Sequence, residues 1–155
     1  MNEAFSTLLT ANIEALVADL SFTYKPDGSM KAPQVVETCL PAKEQGYQEG
    51  QEVPLVRWII YKGAFSWRTP SPFNVRIDAG IYTPGSIVEG TRDIQSLCLA
   101  LGRLVEKPWY SPYKLANRIP FNIGDPQTHS EGSQAHPYYW ASLYLEFKVA
   151  NGHGG

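Results

Sequence analysis

Cysteine and charge are both scarce in this chain of 155 residues. There are two cysteines, Cys39 and Cys98, and charged residues make up 18% of the sequence, below the roughly 25% of an average soluble domain. The cysteines lie far apart, one in a predicted strand and one on a predicted helix. We therefore expect two buried free thiols, as in a reducing compartment. A disulfide between the two cysteines is the alternative that the sequence leaves open.

Segments typical of nucleic-acid or membrane binding are also missing. The formal net charge is −2 and there is no run of Lys and Arg, which disfavours general binding to phosphate backbones. No apolar run approaches the roughly 18 residues of a membrane-spanning helix. The opening Met-Asn-Glu shows no secretory leader pattern. We expect neither specific nucleic-acid binding nor membrane insertion.

The sequence has no motif that brings catalytic or metal-binding side chains together. It lacks Gly-x-Ser-x-Gly and Cys-x-x-Cys, and the glycines of residues 80–85 are not followed by the Lys-Ser/Thr pair of a phosphate-binding loop. The three histidines, His129, His136 and His153, fall in predicted loops or the tail, where solvated side chains are the simpler interpretation. We predict no catalytic residue, no cofactor and no metal site, and so no enzyme.

What the sequence does contain is a strong pattern of strands and helices. Residues 74–82 and 137–149 alternate between apolar and polar side chains, which is typical of half-buried strands. Residues 34–40 and 55–65 are β-branched and apolar, and the second of these is apolar on both faces, as in a central strand, with Gly63 as a candidate bulge. Residues 114–123 contain Pro120, which indicates an edge strand.

Two amphipathic helices complete the pattern. The first covers residues 2–20, with Asn2 as its N-cap. The second starts near Thr91 and ends before Pro108. Its apolar stripe consists of Ile94, Leu97, Cys98, Leu101, Leu104 and Val105. The sequence thus predicts an α+β fold, a mostly antiparallel sheet of about four to five strands with an N-terminal helix and a second long helix packed on it. The length favours one domain over residues 1–150 and a flexible tail over 151–155.

Aromatic residues are plentiful, which is typical of a sheet-rich core and, as the alternative, of a protein–protein interface. On the last strand, Tyr138, Trp140 and Tyr144 lie opposite the apolar stripe, so this face is either under a helix or against another subunit. The polar loop 41–54 is expected to be an exposed arm. The candidate interface residues in these segments and in the proline-rich connections are Tyr47, Glu49, Glu52, Trp67, Trp109, Tyr110, Tyr113, Tyr138 and Trp140.

The order of these elements resembles the tail terminator (tail completion) proteins of long-tailed bacteriophages and related contractile particles. The resemblance rests on the N-terminal helix, on the strand pair with a polar loop between, and on the strand that leads through Glu89-Gly-Thr-Arg-Asp-Ile94 into a helix. It rests most on the tract His136-Pro-Tyr-Tyr-Trp-Ala-Ser-Leu-Tyr-Leu-Glu-Phe147. The resemblance covers most of the chain, as a similar order of helices and strands rather than as an invariant motif.

The resemblance implies a structural protein of the virion, assembled in the host cytoplasm. Such a protein forms a ring, commonly of six copies, that caps the tail tube, stops its growth and joins the tail to the neck and head. Its partners would be other copies of itself, the tail tube protein and a neck or head-closure protein. The acidic loop with Glu44, Glu49 and Glu52 would then suit a lumen that conducts DNA.

Two alternatives remain open at the sequence level. One is another neck component, a head-closure or connector protein. The other is a small enzyme or ligand-binding domain with its site between sheet and loops. Its candidate residues are Arg76, Asp78, Arg92 and Asp93, and it requires a concave pocket in which these polar groups converge.

Overall fold

A computed structural model describes residues 3–37, 52–64, 69–109, 112–125, 130–131 and 136–149. It contains two α-helices, α1 (Glu3–Val17) and α2 (Ile87–Gly102), followed by a 3₁₀ turn at Arg103–Glu106. The strands are β1 (Phe22–Thr23), β2 (Met30–Lys31), β3 (Gln34–Glu37), β4 (Leu55–Gly63), β5 (Phe73–Tyr82), β6 (Tyr113–Leu115), β7 (Phe121–Asp125), β8 (Ser130–Glu131) and β9 (Tyr138–Val149). The predictions for Asn2, Cys39, most of the loop 41–54 and the tail 151–155 lie outside these described residues.

The strands confirm the predicted α+β class. Seven of them form one sheet in the order β3-β4-β5-β9-β7-β8, with β6 also paired to β9, while β1 and β2 form a separate hairpin. All pairs are antiparallel except β3 with β4. The sequence segment 114–123 contributes to two strands, because β9 is twelve residues long and pairs with β6 near one end and with β7 further along.

The centre of the sheet is the β5–β9 pair, in which ten residues of β5 each face a residue of β9. The apolar alternation predicted for both strands is confirmed. Buried residues of β5 are Val75, Ile77, Ala79 and Ile81, and those of β9 are Tyr139, Ala141, Leu143, Leu145 and Phe147. Paired residues in an antiparallel sheet share a face, so these side chains form one continuous apolar surface.

Both helices pack on that apolar surface. Helix α1 contributes Phe5, Leu9, Ile13 and Val17 to the core, and α2 contributes Ile94, Leu97, Cys98 and Leu101. The prediction that Val105 belongs to the same stripe is wrong, since its side chain is 40% exposed. The chain changes to a 3₁₀ turn at Arg103, and the larger rotation per residue directs Val105 outward while Leu104 stays buried.

The predicted start of α2 at Thr91 is also wrong, because the helix begins at Ile87. Ser86 is its N-cap, and the Ser86 Oγ accepts a hydrogen bond from the backbone N–H of Glu89 at 3.1 Å. Ser-x-x-Glu is the start of a capping box, a signal that is visible in the sequence. The apolar stripe does not reveal this helix start, because the exposed side chains of Ile87 and Val88 lie outside the stripe and the three residues after them are not apolar.

Strand β4 lies between β3 and β5, as its apolar character predicted. The bulge, however, is not at Gly63: the register with β5 shifts between Ile60 and Lys62. Gly63 instead allows close packing, since a Cβ atom there would lie 3.0 Å from the Cβ of Phe73. Beyond the bulge the strand leaves the core, and its last three residues are exposed.

Candidate functional site

The face of the sheet opposite the two helices carries a row of polar side chains at its centre. Arg57 of β4 pairs with Asp78 of β5, and Asp78 pairs with Ser142 of β9. Because the three residues are in register, their side chains project from the same face next to one another. None of the helices in the described part of the chain packs on this face, since their apolar stripes contact the opposite one. We call it the open face.

Asp78 is the acceptor at the centre of this row. Its Oδ2 accepts from Nε of Arg57 at 2.9 Å and lies 2.8 Å from the other Arg57 donor, Nη2. Its Oδ1 accepts from the hydroxyl of Ser142 at 2.8 Å and lies 3.1 Å from Nε of Arg76. The Asp78 side chain is 1% exposed, whereas those of Arg57 and Arg76 are 26% and 30% exposed. One buried carboxylate is therefore shared by two guanidinium groups that reach the surface.

Aromatic side chains lie on the open face beyond the end of this row. Trp140 pairs with Gly80, and a Cβ atom at position 80 would overlap the indole ring. Glycine thus lets the ring of Trp140 lie against the backbone of β5. Two residue pairs further, and so on the same face, Tyr82 and Tyr138 have ring centroids 5.4 Å apart. Lys25, between β1 and β2, places its Nζ 5.6 Å and 5.7 Å from those two centroids, which is cation–π distance.

On the other side of the polar row the open face forms a groove of about 500 Å³. The rings of Tyr61 and Tyr144 meet edge to face there, with centroids 6.2 Å apart. The lining residues are Tyr61, Asn74, Ala116, Asn117, Arg118, Pro120, Tyr144, Leu145, Glu146 and Lys148. The segment between β6 and β7 forms the outer wall, fixed by a hydrogen bond from the backbone N–H of Tyr144 to the carbonyl of Pro120 at 2.9 Å.

The predicted interface residues do not form one cluster. Tyr138 and Trp140 lie on the open face and are half-buried. Trp109 and Tyr113 pack on the core, in ring contact with Phe5. The indole N–H of Trp109 also donates to the carbonyl of Leu104 at 3.3 Å, so only part of this side chain is accessible to a partner. Glu52 is half-buried just before β4. The remaining candidates, Tyr47, Glu49, Trp67 and Tyr110, lie outside the described residues.

The four residues proposed for an enzyme site do not converge. Arg76 and Asp78 form an ion pair on the open face. Asp93 belongs to α2 on the opposite side of the sheet, where its Oδ2 accepts from the hydroxyl of Thr83 at 2.9 Å. Arg92 is exposed on the outside of α2. The pairs formed by these side chains are explained by the sheet register and by the contact between α2 and the end of β5.

Two side chains with shifted pKa values lie in the core, away from the open face. Burial raises the pKa of the Cys98 thiol to about 11. Burial also raises the pKa of Tyr139, whose hydroxyl contacts Nδ1 of His136. Within the described ranges, no three His, Cys, Asp or Glu side chains are grouped closely enough to hold a metal ion.

Sequence reasoning missed two members of the central row, Arg57 and Ser142. Arg57 is the one charged residue among the first seven residues of β4, and Ser142 is the smallest polar residue on the polar side of β9. Each residue therefore differs in character from its neighbours in the same strand, and this difference is the feature of the sequence that could have identified it. That the two share Asp78 depends on strand register, which the sequence does not display.

No family model matches the chain, and no curated protein matches it.

None of the helices in the described segments is long and apolar enough to cross a lipid bilayer.

Proposed function

We propose that this chain is a structural subunit of a bacteriophage tail. In this proposal several copies form a ring, with six as the expected number, at the end of the tail tube. The ring stops growth of the tube and joins it to the neck and head, so its partners are the tail tube protein and a neck or head-closure protein. It is assembled in the host cytoplasm, remains in the virion and needs no cofactor.

The open face is the observation that carries this proposal. A sheet whose apolar surface is already covered by two helices needs no further partner for folding. Its other side nevertheless holds half-buried aromatic rings, Trp140, Tyr138 and Tyr144, around an arginine pair. Tyr, Trp and Arg are the residues that contribute most binding energy at protein interfaces. This composition supports an assembly role for the open face.

The order of elements gives independent support. The described chain runs from a helix through three short strands and two long strands into α2, and ends in the longest strand, β9. It includes the elements on which the resemblance to tail terminator proteins rests, with the β1–β2 hairpin and the strands β6, β7 and β8 in addition. The tract that ends at Phe147 lies within β9 and the turn before it.

The first test is the mass and shape of the assembly. The full chain is purified and its mass is measured by light scattering, and the same sample is imaged by negative-stain electron microscopy. The proposal predicts a closed ring whose mass is a multiple of 17.3 kDa. A protein that remains monomeric at every concentration, and that mass spectrometry does not find in purified phage particles, contradicts it.

A second measurement separates a tail terminator from another neck component. Purified tail tube protein is allowed to polymerise with and without this chain, and tube lengths are measured in micrographs. A terminator shortens the tubes and is found at one end of each. Tubes of unchanged length, together with binding to a head-closure or portal protein, assign the chain to another part of the neck.

A further inference from the structure

Positive charge is concentrated on the open face. Two cations project from it in β4, one in β5, one in β6 and one in β9, and a further one lines the groove from the segment between β6 and β7. These six residues are Arg57, Lys62, Arg76, Lys114, Lys148 and Arg118. Lys114 and Lys148 are direct partners in the β6–β9 pair, so two like charges face each other there. We call these six residues the basic patch.

Few carboxylates balance the basic patch. Asp78 and Glu146 are the acidic side chains that the structure describes on the same face. The patch and these two acids together carry a net charge of +4. Lys25, over the rings of Tyr82 and Tyr138, adds a further cation at the aromatic end of the same face. On the helix side the described charged side chains are acidic on balance, with a net charge of −3: six acids stand against three cations, namely Glu14, Asp19, Glu37, Glu89, Asp93 and Glu106 against Arg92, Arg103 and Lys107. The described surface is therefore electrostatically asymmetric, with a basic open face and an acidic helix side.

Within the described segments, most of the basic patch has no partner that folding would explain. Arg57 and Arg76 both contact Asp78, so two positive charges share one negative charge. For Lys62, Lys114, Arg118 and Lys148, the described part of the chain provides no carboxylate within 4.0 Å. Like charges placed side by side are unfavourable in an isolated subunit. A surface with this arrangement gains free energy when a partner supplies carboxylates.

We propose that the basic patch binds the acidic surface of a second copy of this chain. The inference rests on the proposed function and adds the contact by which neighbouring subunits recognise each other. The complementary charge is on the same molecule, because the described helix-side residues carry a net charge of −3. Exposed carboxylates on the helix side include Glu14, Asp19 and Glu89.

The charge asymmetry also determines the type of contact. In a two-fold dimer through this face, the basic patch would lie against itself, and four or more unpaired cations would repel their counterparts. A head-to-tail contact places the basic patch of each copy against the acidic helix side of the next. Such heterologous contacts generate closed rings when the rotation between copies closes. The groove beside Arg118 and Lys148 offers a concave seat for an acidic segment of the neighbour.

The experiment compares two double charge reversals in the full chain. Arg118→Glu/Lys148→Glu changes two exposed members of the basic patch. Arg92→Glu/Arg103→Glu changes two exposed cations on the helix side by the same total charge. Self-association of each protein is measured by sedimentation velocity in about 0.1 M and about 1 M NaCl, between which the Debye length falls from about 10 Å to about 3 Å.

We expect wild type to associate more strongly at the lower salt concentration. Reversal of the patch charges should weaken association about tenfold or more, because it replaces attraction by repulsion. The control reversal makes the acidic helix side more negative, so it should leave association unchanged or strengthen it, and it should not weaken it. Thermal unfolding of each variant is recorded first. If Arg118→Glu/Lys148→Glu is less stable than the control, the single exposed change Lys114→Glu replaces it.

The possible results separate this inference from the proposed function. Rings that form equally well with reversed patch charges, or whose formation is insensitive to salt, overturn the inference and leave the ring proposal standing. A wild-type chain that is monomeric in both salts overturns both. If the patch variant associates normally but loses binding to a labelled DNA duplex, the basic patch binds nucleic acid and the inference is wrong.

Discussion

Asp78 and Arg57 form the most buried ion pair of the described residues, with Oδ2 of Asp78 within 2.9 Å of both Nε and Nη2 of Arg57. Asp78→Ala would remove the acceptor from two half-buried guanidinium groups and from Ser142. Removing one partner of a buried ion pair leaves an uncompensated charge and lowers the free energy of unfolding by about 3–5 kcal/mol. Because both arginines reach solvent, we expect a loss of about 3 kcal/mol for Asp78→Ala. Urea denaturation measures this loss as a lower free energy of unfolding.

The control for Asp78 is another ion pair of the same protein. Arg103 and Glu106 are 3.1 Å apart, but their side chains are 68% and 61% exposed. Glu106→Ala should change the free energy of unfolding by less than about 1 kcal/mol, because solvent screens exposed pairs. Equal effects of Asp78→Ala and Glu106→Ala would show that the central row of the open face has no special role in stability.

Substitution by Asp should have opposite effects on folding at Leu143 and at Leu99. Leu143 is 1% exposed at the centre of the core, whereas Leu99 is 74% exposed on the outside of α2. Leu143→Asp buries an unpaired charge and should prevent folding, and Leu143→Ala should cost about 2–5 kcal/mol. Leu99→Asp should leave the circular dichroism spectrum and melting temperature close to wild type. A folded Leu143→Asp protein would contradict the assignment of this strand face to the core.

Gly90 determines how closely α2 approaches the sheet. A Cβ atom at this position would overlap the ring of Tyr139, which is fully buried. Gly90→Ala should therefore lower the free energy of unfolding by about 1–3 kcal/mol, as for other overpacked core positions. Gly102→Ala in the same helix is the control, since nothing lies within 4 Å of its Cβ position. Alanine has the higher helix propensity, so this variant should be as stable as wild type or slightly more stable. Chemical denaturation of both variants tests the difference.

The Cys98 thiol should be inert in the folded protein. Burial raises its pKa from the ordinary value of 9.0 to about 11, so at about pH 8 it has about one hundredth of the thiolate of a free cysteine. Because the folded state holds the proton more tightly than the unfolded chain, this group favours folding below the ordinary pKa. Its contribution declines as pH rises from about 9 towards 11.

Alkylation kinetics test this prediction. Iodoacetamide is added at about pH 8 to native and to guanidinium-unfolded protein, and modification of the peptide that contains Cys98 is followed by mass spectrometry. We expect slow labelling in the native protein and fast labelling after unfolding. Equal rates would mean that Cys98 is accessible, in conflict with its position in the α2 stripe.

Local patterns predicted the parts of the fold in which burial alternates along one segment. The one-sided burial of β5 and β9, and five of the six stripe residues of the second helix, followed from periodicity alone. The prediction that Val105 is buried was wrong because the change to a 3₁₀ turn alters the rotation per residue. The start of α2 was missed because its first two side chains, Ile87 and Val88, face solvent, although Ser86 and Glu89 contained the capping signal.

The parallel pairing of β3 with β4 was not predictable from either strand. Both segments are apolar and β-branched, which suits either direction. A parallel pair requires the chain to return along the length of the sheet, which takes about a dozen residues or more. Residues 38–54 between the two strands meet that requirement, so the length of this polar loop has a topological reason.

The sequence by itself determined which side chains of the two longest strands face the core, because alternation is a property of neighbouring residues in one strand. It also determined the charge of −2 and the scarcity of charged residues. Only the tertiary structure decided that Asp78 meets an arginine 21 residues away and a serine 64 residues away. Only it placed six cations on the side that the helices leave open. Such groupings depend on the register between distant segments, which is set by packing of the whole sheet and is encoded in no single stretch of the chain.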